Sequence, residues 1–290
     1  MKRFVVCLCA VMSCLAGTAD NRALLIGIGE YPSSTGWKII HGDADVELLK
    51  PKLERYGFAV SSLVNEEATK ANIQKALRTL RDECQPGDMV YFHFSGHGQP
   101  ITDANGDEEN ALDEAMIPFD AGRYFIKGTY EGENHLIDDE YNQILVEIKQ
   151  KIGKEGLLFM AVDACHSRGM ERGIDSGDVN DRDILYSARG TDEEFVFDGE
   201  IPNSLKEKPL PRSLQVGGIL IVVSACKEDE RNYEYKTASG KMYGSLSYCI
   251  AELLKEDADF HRWAEYFRRE QYRKQKIFQL SQHPSIEVYD

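Results

Sequence analysis

The chain has 290 residues and carries 34 Lys and Arg against 49 Asp and Glu, a formal net charge of −15 at pH 7. That length suffices for one large α/β domain or two small ones. Charge this negative argues against nucleic acid as a partner and suits basic peptides or cations.

Met1–Ala19 reads as an export signal. Lys2 and Arg3 supply the basic start, Phe4–Ala16 is apolar but short for a bilayer, and Gly17-Thr18-Ala19 offers small residues before Asp20. A competing reading is a lipoprotein signal, with Cys14 lipidated in Val11-Met12-Ser13-Cys14. Either way the protein is expected outside the cytoplasm, as a periplasmic, secreted or outer-surface protein. Removing residues 1–19 takes away Lys2 and Arg3 and leaves −17 (−15 minus 2). No later stretch is long enough to span a membrane. Of the seven cysteines, Cys7, Cys9 and Cys14 fall in the signal. Cys84, Cys165, Cys226 and Cys249 remain, with no CxxC pair. In a domain this large Cys84, Cys226 and Cys249 are expected as buried small hydrophobes, not bridge partners.

Residues 20–290 read as one domain of alternating strands and helices. Arg22–Gly29 is an apolar strand closed by glycine. Asp43–Tyr56 places Val46, Leu49, Leu53 and Tyr56 at helical spacing, and Gly57 ends that helix. Phe58–Val64 is a second strand. A helix from Thr69 carries Ile73, Ala76, Leu77 and Leu80 and stops before Pro86-Gly87. Asp88–Ser95 is the third strand, Asp138–Ile152 a helix, Gly156–Asp163 the fourth strand and Gly217–Ala225 the fifth. Helices follow at Tyr243–Lys255 and Phe260–Gln275, and Ser285–Tyr289 closes the chain as a strand. This order predicts an α/β fold: a mostly parallel six-stranded sheet with helices on both faces. Residues 99–135 and 166–216 read as long irregular segments, each directly following a reactive residue.

Those reactive residues are the main functional signal. Tyr91-Phe92-His93-Phe94-Ser95-Gly96-His97-Gly98 ends a strand in an imidazole. Ala161-Val162-Asp163-Ala164-Cys165, whose cysteine lies 68 residues after His97, ends another in a thiol. Neighbouring parallel strands present their C-terminal ends on one edge, so His97 and Cys165 can meet there as base and nucleophile. A lone thiol is mostly protonated at pH 7; a histidine within reach converts it to thiolate and later protonates a leaving amine. The amides of Gly98 and Cys165 are candidate oxyanion donors. His93, inside the strand on the face opposite Phe92 and Phe94, reads as a packed histidine. His166 adjoins Cys165 and is a poor base for its own neighbour. No His/Cys pair has zinc-ligand spacing.

Leu24-Leu25-Ile26-Gly27-Ile28 with Tyr31, then Phe94-Ser95-Gly96-His97-Gly98, then Asp163-Ala164-Cys165-His166-Ser167, then Val223-Ser224-Ala225-Cys226, resemble in order the metacaspase branch of the caspase-like cysteine peptidases. The resemblance implies a caspase-like sandwich, a Cys165–His97 dyad and cleavage of polypeptides after Arg or Lys, where caspases proper cut after Asp. It implies Asp163 and Asp43 (in His41-Gly42-Asp43-Ala44) as the acidic members of a specificity pocket, with Ser95 lining it. Two carboxylates at the base of a cleft would favour a cationic side chain by charge-assisted hydrogen bonds; alone, Asp43 also suits the first turn of a helix. The resemblance further implies calcium, with Asp113, Asp138 and Asp139 at ligand positions and no organic cofactor. The fourth ligand has no clean match; Glu171 or Asp175 stands nearest. Asp103–Glu109 looks like part of a calcium loop without an EF-hand's closing glutamate. Outside the cell even a site with Kd on the order of 10⁻⁴–10⁻³ M would fill.

Residues 166–216 carry Arg168, Arg172, Arg182, Arg189, Lys206, Lys208 and Arg212. In an Arg/Lys-specific peptidase such a loop is a candidate self-cleavage site; the plain alternative is a solvated loop of mixed charge. The expected protein is therefore a monomeric exported endopeptidase. Rival readings are a clostripain- or gingipain-like peptidase, a caspase-fold interaction module without catalysis, and a calcium-sensing structural protein. The module would be marked by loss of His97 or Cys165, and the calcium sensor leaves the two reactive strand ends unexplained.

Overall fold

A computed structural model describes residues 20–102, 112–165, 189–191, 193–197, 216–227 and 230–290. The export signal, the Asp103–Glu109 segment, Glu171, Asp175 and the loop cations other than Arg189 lie outside those residues.

Strand and helix alternate from the start: β1 (Asn21–Gly27), α1 (Gly42–Arg55), β2 (Phe58–Val64), α2 (Lys70–Glu83) and β3 (Met89–Ser95). Thr69 caps α2 by accepting the Asn72 N–H, which satisfies one of the donors left open at a helix start. Three short strands follow, β4 (Gly98–Thr102), β5 (Leu112–Met116) and β6 (Leu136–Ile137), in a separate antiparallel sheet. Residues 99–135 were expected as irregular chain. Their strands are short and carry few alternating apolar residues, so periodicity does not reveal them.

The main sheet resumes through α3 (Asp138–Ile152), β7 (Leu157–Asp163) and β8 (Ile219–Ser224). A hairpin of β9 (Glu234–Lys236) and β10 (Met242–Gly244) leads into α4 (Ser245–Leu253), α5 (Phe260–Arg268) and β11 (Ser285–Tyr289). The helix expected to Gln275 stops at Arg268, and a short 3₁₀ turn over Gln271–Gln275 takes over.

Strand order in the main sheet is β11-β8-β7-β3-β1-β2, parallel except for β11. This is the six-stranded, mostly parallel sheet expected from the sequence. Strand alternation separates two cores. On one face Phe92, Phe94, Met160 and Val162 pack with Ile73 and Leu77 of α2 and Ile144 and Ile148 of α3. On the other, Tyr91, Phe159 and Ala161 pack with Leu49 of α1, Leu246 and Ile250 of α4, and Trp263 and Phe267 of α5. The register Gly27↔Ser95↔Asp163 fixes where the central strands end together. By the same alternation Ser95 and Asp163 belong to the face covered by α1 and α4.

Among the described residues three histidines, His93, His97 and His135, are sealed inside. His93 bonds the Tyr91 hydroxyl through Nδ1 (2.9 Å) and Ser247 Oγ through Nε2 (3.0 Å). His135 lies between the Tyr130 hydroxyl and Gln99. Burial lowers His93 and His97 to about 4 and His135 to about 3. The folded state therefore keeps these rings neutral while the unfolded chain protonates them below about 6.5. Their contribution is present above that pH and is lost as pH falls toward 4. Each is worth on the order of 3 kcal/mol by pH 4, together comparable to the whole stability of a domain. Urea midpoints should fall steeply between pH 7 and about 4.5; a flat profile would show that the rings are not buried as described.

Candidate active site

His97 and Cys165 each lie two residues beyond the paired positions Ser95 and Asp163, on adjacent parallel strands. Strands in a sheet run about 4.8 Å apart, so the imidazole and the thiol share one rim. Both residues are 2% exposed.

A third group, invisible in the sequence, orients the imidazole. His97 Nε2 lies 2.8 Å from the Lys38 carbonyl oxygen. A carbonyl only accepts, so Nε2 carries the proton and Nδ1 is left with its lone pair. Nδ1 is buried and has no hydrogen-bond partner among the described residues. Trp37 stacks on the ring at 4.8 Å between centroids, and Tyr31 lies at 5.1 Å. The Tyr31 hydroxyl accepts the His97 backbone N–H (3.0 Å) and donates to the Ile117 carbonyl (3.0 Å). Burial, aided by the charges of Arg189, Arg123 and Lys38, outweighs the Lys38 hydrogen bond and lowers the ring to about 4. A neutral imidazole with an open Nδ1 is in the form that a base needs, and burial makes it a weaker base than a free imidazole.

The Cys165 thiol donates to the Glu230 carbonyl at 3.6 Å. Cys226 lies beside it, its own thiol driven well above the usual range first by the hydrogen bond to Cys165 and then by burial. Cys84, Cys165, Cys226 and Cys249 are all free and buried.

Beneath the rim lies a fully buried charge cluster. Asp45, Asp163 and Glu234 surround the guanidinium of Arg189, and all four side chains are 0% exposed. Arg189 Nη2 lies 2.9 Å from Asp45 Oδ2 and 3.0 Å from Glu234 Oε1. Nη1 donates to Ser95 Oγ and to the Asp163 carbonyl at 3.4 Å, and stands 3.9 Å from Asp163 Oδ1. Each carboxylate has further donors. Asp45 receives the Ser95 hydroxyl (2.6 Å) and the Gly244 N–H (2.9 Å). Asp163 receives the Ser247 N–H and hydroxyl near the start of α4 (2.7 and 2.6 Å) and Asn232 Nδ2 (2.8 Å). Glu234 receives the His41 N–H (2.7 Å) and faces His41 Nδ1 at 2.8 Å. Burial raises the Asp45 carboxyl; Asp163 adds to that and Arg189 opposes it. A side chain on Gly244 would collide with the Asp163 carboxylate, so this wall requires glycine.

The structure thus brings together His97, Cys165, Ser95 and Asp163, with the Gly98 backbone on the same rim. It does not bring Asp43. That carboxylate accepts the Ala44 N–H (2.9 Å) and Asn65 Nδ2 (3.4 Å), outside the cluster. The acidic partner from α1 is Asp45 instead: two residues along a helix turn the side chain by about 200°, so only one of the pair can face Asp163. Sequence reasoning also passed over Glu234, and counted Arg189 as one loop cation among seven.

Arg189 is held by its backbone as well. Its carbonyl accepts the Cys165 N–H at 2.7 Å, and its N–H donates to the Asn232 carbonyl at 3.0 Å. Beyond it, Gly190 bridges to Cys165, the Thr191 N–H donates to the Gly98 carbonyl (3.2 Å), and Phe195 bridges to Ile101 on β4.

The calcium positions are less complete. Asp113 lies on β5, and Asp138 and Asp139 open α3, where acidic residues also complement the helix dipole. β5 pairs with β6 at Ala115↔Ile137, the last residue before α3. Among the described residues, however, no three His, Cys, Asp or Glu side chains form a metal-holding group. These residues alone do not fit a calcium ion.

A caspase-domain family model matches residues 20–288. The chain belongs to the caspase-domain family. It is 30% identical over 253 residues to Metacaspase-3 of Arabidopsis thaliana, covering 81% of this chain and 59% of that protein. To Metacaspase-1A of Aspergillus niger it is 30% identical over 234 residues, 77% of this chain and 48% of the other. The caspase-domain chain thus spans about half the length of these curated relatives. A crystal structure of protein GSU0716 from Geobacter sulfurreducens shares the fold, with TM-score 0.62, 20% identity and 93% of each chain covered. No helix among the described residues is long and apolar enough to cross a membrane.

If the His97 imidazole governs the Cys165 thiol, His97→Ala should slow alkylation of Cys165 by iodoacetamide near neutral pH by about tenfold or more, because thiolate then depends on ordinary thiol ionisation. Mass spectrometry of the labelled peptide reads the rate at Cys165 separately from Cys226; equal rates in the two proteins would uncouple the pair.

Proposed function

We propose that this caspase-domain chain is an exported cysteine endopeptidase that cleaves polypeptides after a basic residue and cuts its own loop first. One observation carries the reading: Arg189 is held as a substrate would be, its side chain among three carboxylates and its carbonyl on the amide of the nucleophile.

The chemistry follows from these groups. His97 Nδ1 takes the Cys165 proton, and the sulfur adds to the carbonyl carbon of the basic residue. The Cys165 N–H, with the Gly98 N–H as the second candidate donor, stabilises the oxygen that gains charge. The C–N bond breaks as the imidazolium returns its proton to the leaving amine, which leaves a thioester on Cys165. Water, deprotonated by His97, adds to that thioester, releasing a carboxylate and regenerating the thiol. In the cis reaction the new ends are the Arg189 carboxylate and the Gly190 amine.

Calcium enters this reading only as an activator. Export rests on Met1–Ala19 and is tested by a mature N-terminus at or near Asp20.

The purified chain should split into two fragments, the second beginning at Gly190 by N-terminal sequencing, whereas Cys165→Ala stays whole. Fluorogenic peptides ending in Arg or Lys should be cleaved and those ending in Asp should not, with Cys165→Ala as blank and parallel assays in calcium and chelator. Cleavage only after Asp would overturn the pocket, equal rates in calcium and chelator would remove calcium, and an intact wild-type chain that cleaves nothing would leave Arg189 a structural cation in an interaction module.

A further inference from the structure

We infer that the site selects an Arg–Gly bond, discriminating against lysine through Glu234 and against any side chain on the following residue through a backbone slot. The inference rests on the peptidase reading above and names its substrate class.

The pocket fits a fork. The two terminal nitrogens of Arg189 go to different walls: Nη2 to Asp45 and Glu234, Nη1 to Ser95 and the Asp163 carbonyl. A guanidinium presents those donors at fixed spacing in one plane, whereas an ammonium is a single point with three donors. A lysine nitrogen placed between Asp45 and Glu234 would desert Ser95 and Asp163, and placed on the other wall it would leave Glu234 without its cation. Every group here is sealed from solvent, so a carboxylate left without its cation keeps its desolvation cost. Glu234 decides the preference. It comes from the β9–β10 hairpin and not from the central strands, and both of its oxygens are fixed by His41, the residue that precedes α1. With Glu234 locked, its charge cannot swing to follow a shorter side chain.

The slot beyond the bond is narrower. Gly190 has φ +150°, and a Cβ there would lie 2.6 Å from the Gly98 carbonyl oxygen and 2.9 Å from Cys165 Cβ, and closer still to the Cys165 carbonyl oxygen. Two of these atoms are backbone on the rim that holds the dyad, so they cannot move aside without displacing His97 or Cys165. The following residue is tied by Thr191 N–H to the Gly98 carbonyl, which fixes the path of the chain. A glycine is thus the one residue that passes between the two strand ends.

The test is a set of internally quenched peptides alike except at the central pair: Arg-Gly, Arg-Ala, Lys-Gly and Lys-Ala. They are assayed with the full-length purified enzyme after self-cleavage, and with Glu234→Gln. For the wild type we expect kcat/KM on Arg-Gly to exceed Lys-Gly and Arg-Ala each by tenfold or more, which is about 1.4 kcal/mol per discrimination. Glu234→Gln should narrow the Arg/Lys ratio mainly through KM while the Gly/Ala ratio stays. In cis, Gly190→Ala should slow the cut after Arg189 by tenfold or more against wild type, read by N-terminal sequencing over time; equal rates of self-cleavage would overturn the backbone slot. Equal rates on Arg-Gly and Lys-Gly, or on Arg-Gly and Arg-Ala, would overturn the inference while leaving a basic-residue peptidase standing. No cleavage of any of the four peptides and no self-cleavage would overturn both. The wild-type panel decides the matter even if Glu234→Gln fails to fold.

Discussion

Three carboxylates sealed from solvent need a cation. Asp45, Asp163 and Glu234 meet from three separate stretches of chain, on α1, at the end of β7 and on the β9–β10 hairpin. Transferring even one of these charges from water is expensive, and their mutual repulsion adds to that cost. The arrangement is tolerable because Arg189 lies at its centre and because backbone amides, Ser95, Ser247 and Asn232 satisfy the remaining oxygen lone pairs. A cluster of this kind does little for stability compared with an apolar core of the same volume. What it provides is a demand for positive charge at one defined place, directly under a nucleophile.

The demand is met at that place because of sheet register. Ser95 and Asp163 are paired neighbours that belong to the face under α1 and α4, while His97 and Cys165, two residues on, reach the rim. The same alternation therefore sets pocket floor and dyad one step apart on the same two strands. A slip of one residue between β3 and β7 would turn the pocket groups into the opposite core and separate base from nucleophile together. The fold's two apolar cores, one beneath each face, are what hold that register.

Much of this was legible in the sequence. The six strands of the main sheet announce themselves as apolar runs between breakers, and the ends at His97 and Cys165 stand out because reactive residues there sit among small ones. The antiparallel strands β4, β5 and β6 did not, since strands of two to five residues offer too few positions for a period to show. The choice between Asp43 and Asp45 was also beyond a one-dimensional reading: both fall in the first turn of α1, and only the helix phase relative to β3 separates them. Lys38 contributes a backbone carbonyl, which no side-chain pattern encodes. Glu234 and Arg189 are long-range partners of the cluster, the nearer to Asp163 in sequence being Arg189, 26 residues away, and nothing local marks either as buried.

The occupant of the pocket is part of the same chain, and that changes what binding costs. A free peptide must give up translation and rotation to reach the site; Arg189 has already lost them on folding, so its effective concentration at Cys165 is far above that of any solution substrate. The segment beyond it is anchored independently: Phe195 pairs with Ile101 and sits among Phe125, Tyr130, His135 and Phe197. Breaking the bond after Arg189 would therefore act unequally on the two sides. The Gly190 side keeps its aromatic anchor and its bonds to β4, whereas Arg189 loses its covalent link to them and keeps only its pocket contacts. On the proposed reading the cut removes the tether that held the arginine in place, so its retention falls to what the pocket alone supplies, and the carboxylates then set the terms for the next basic residue.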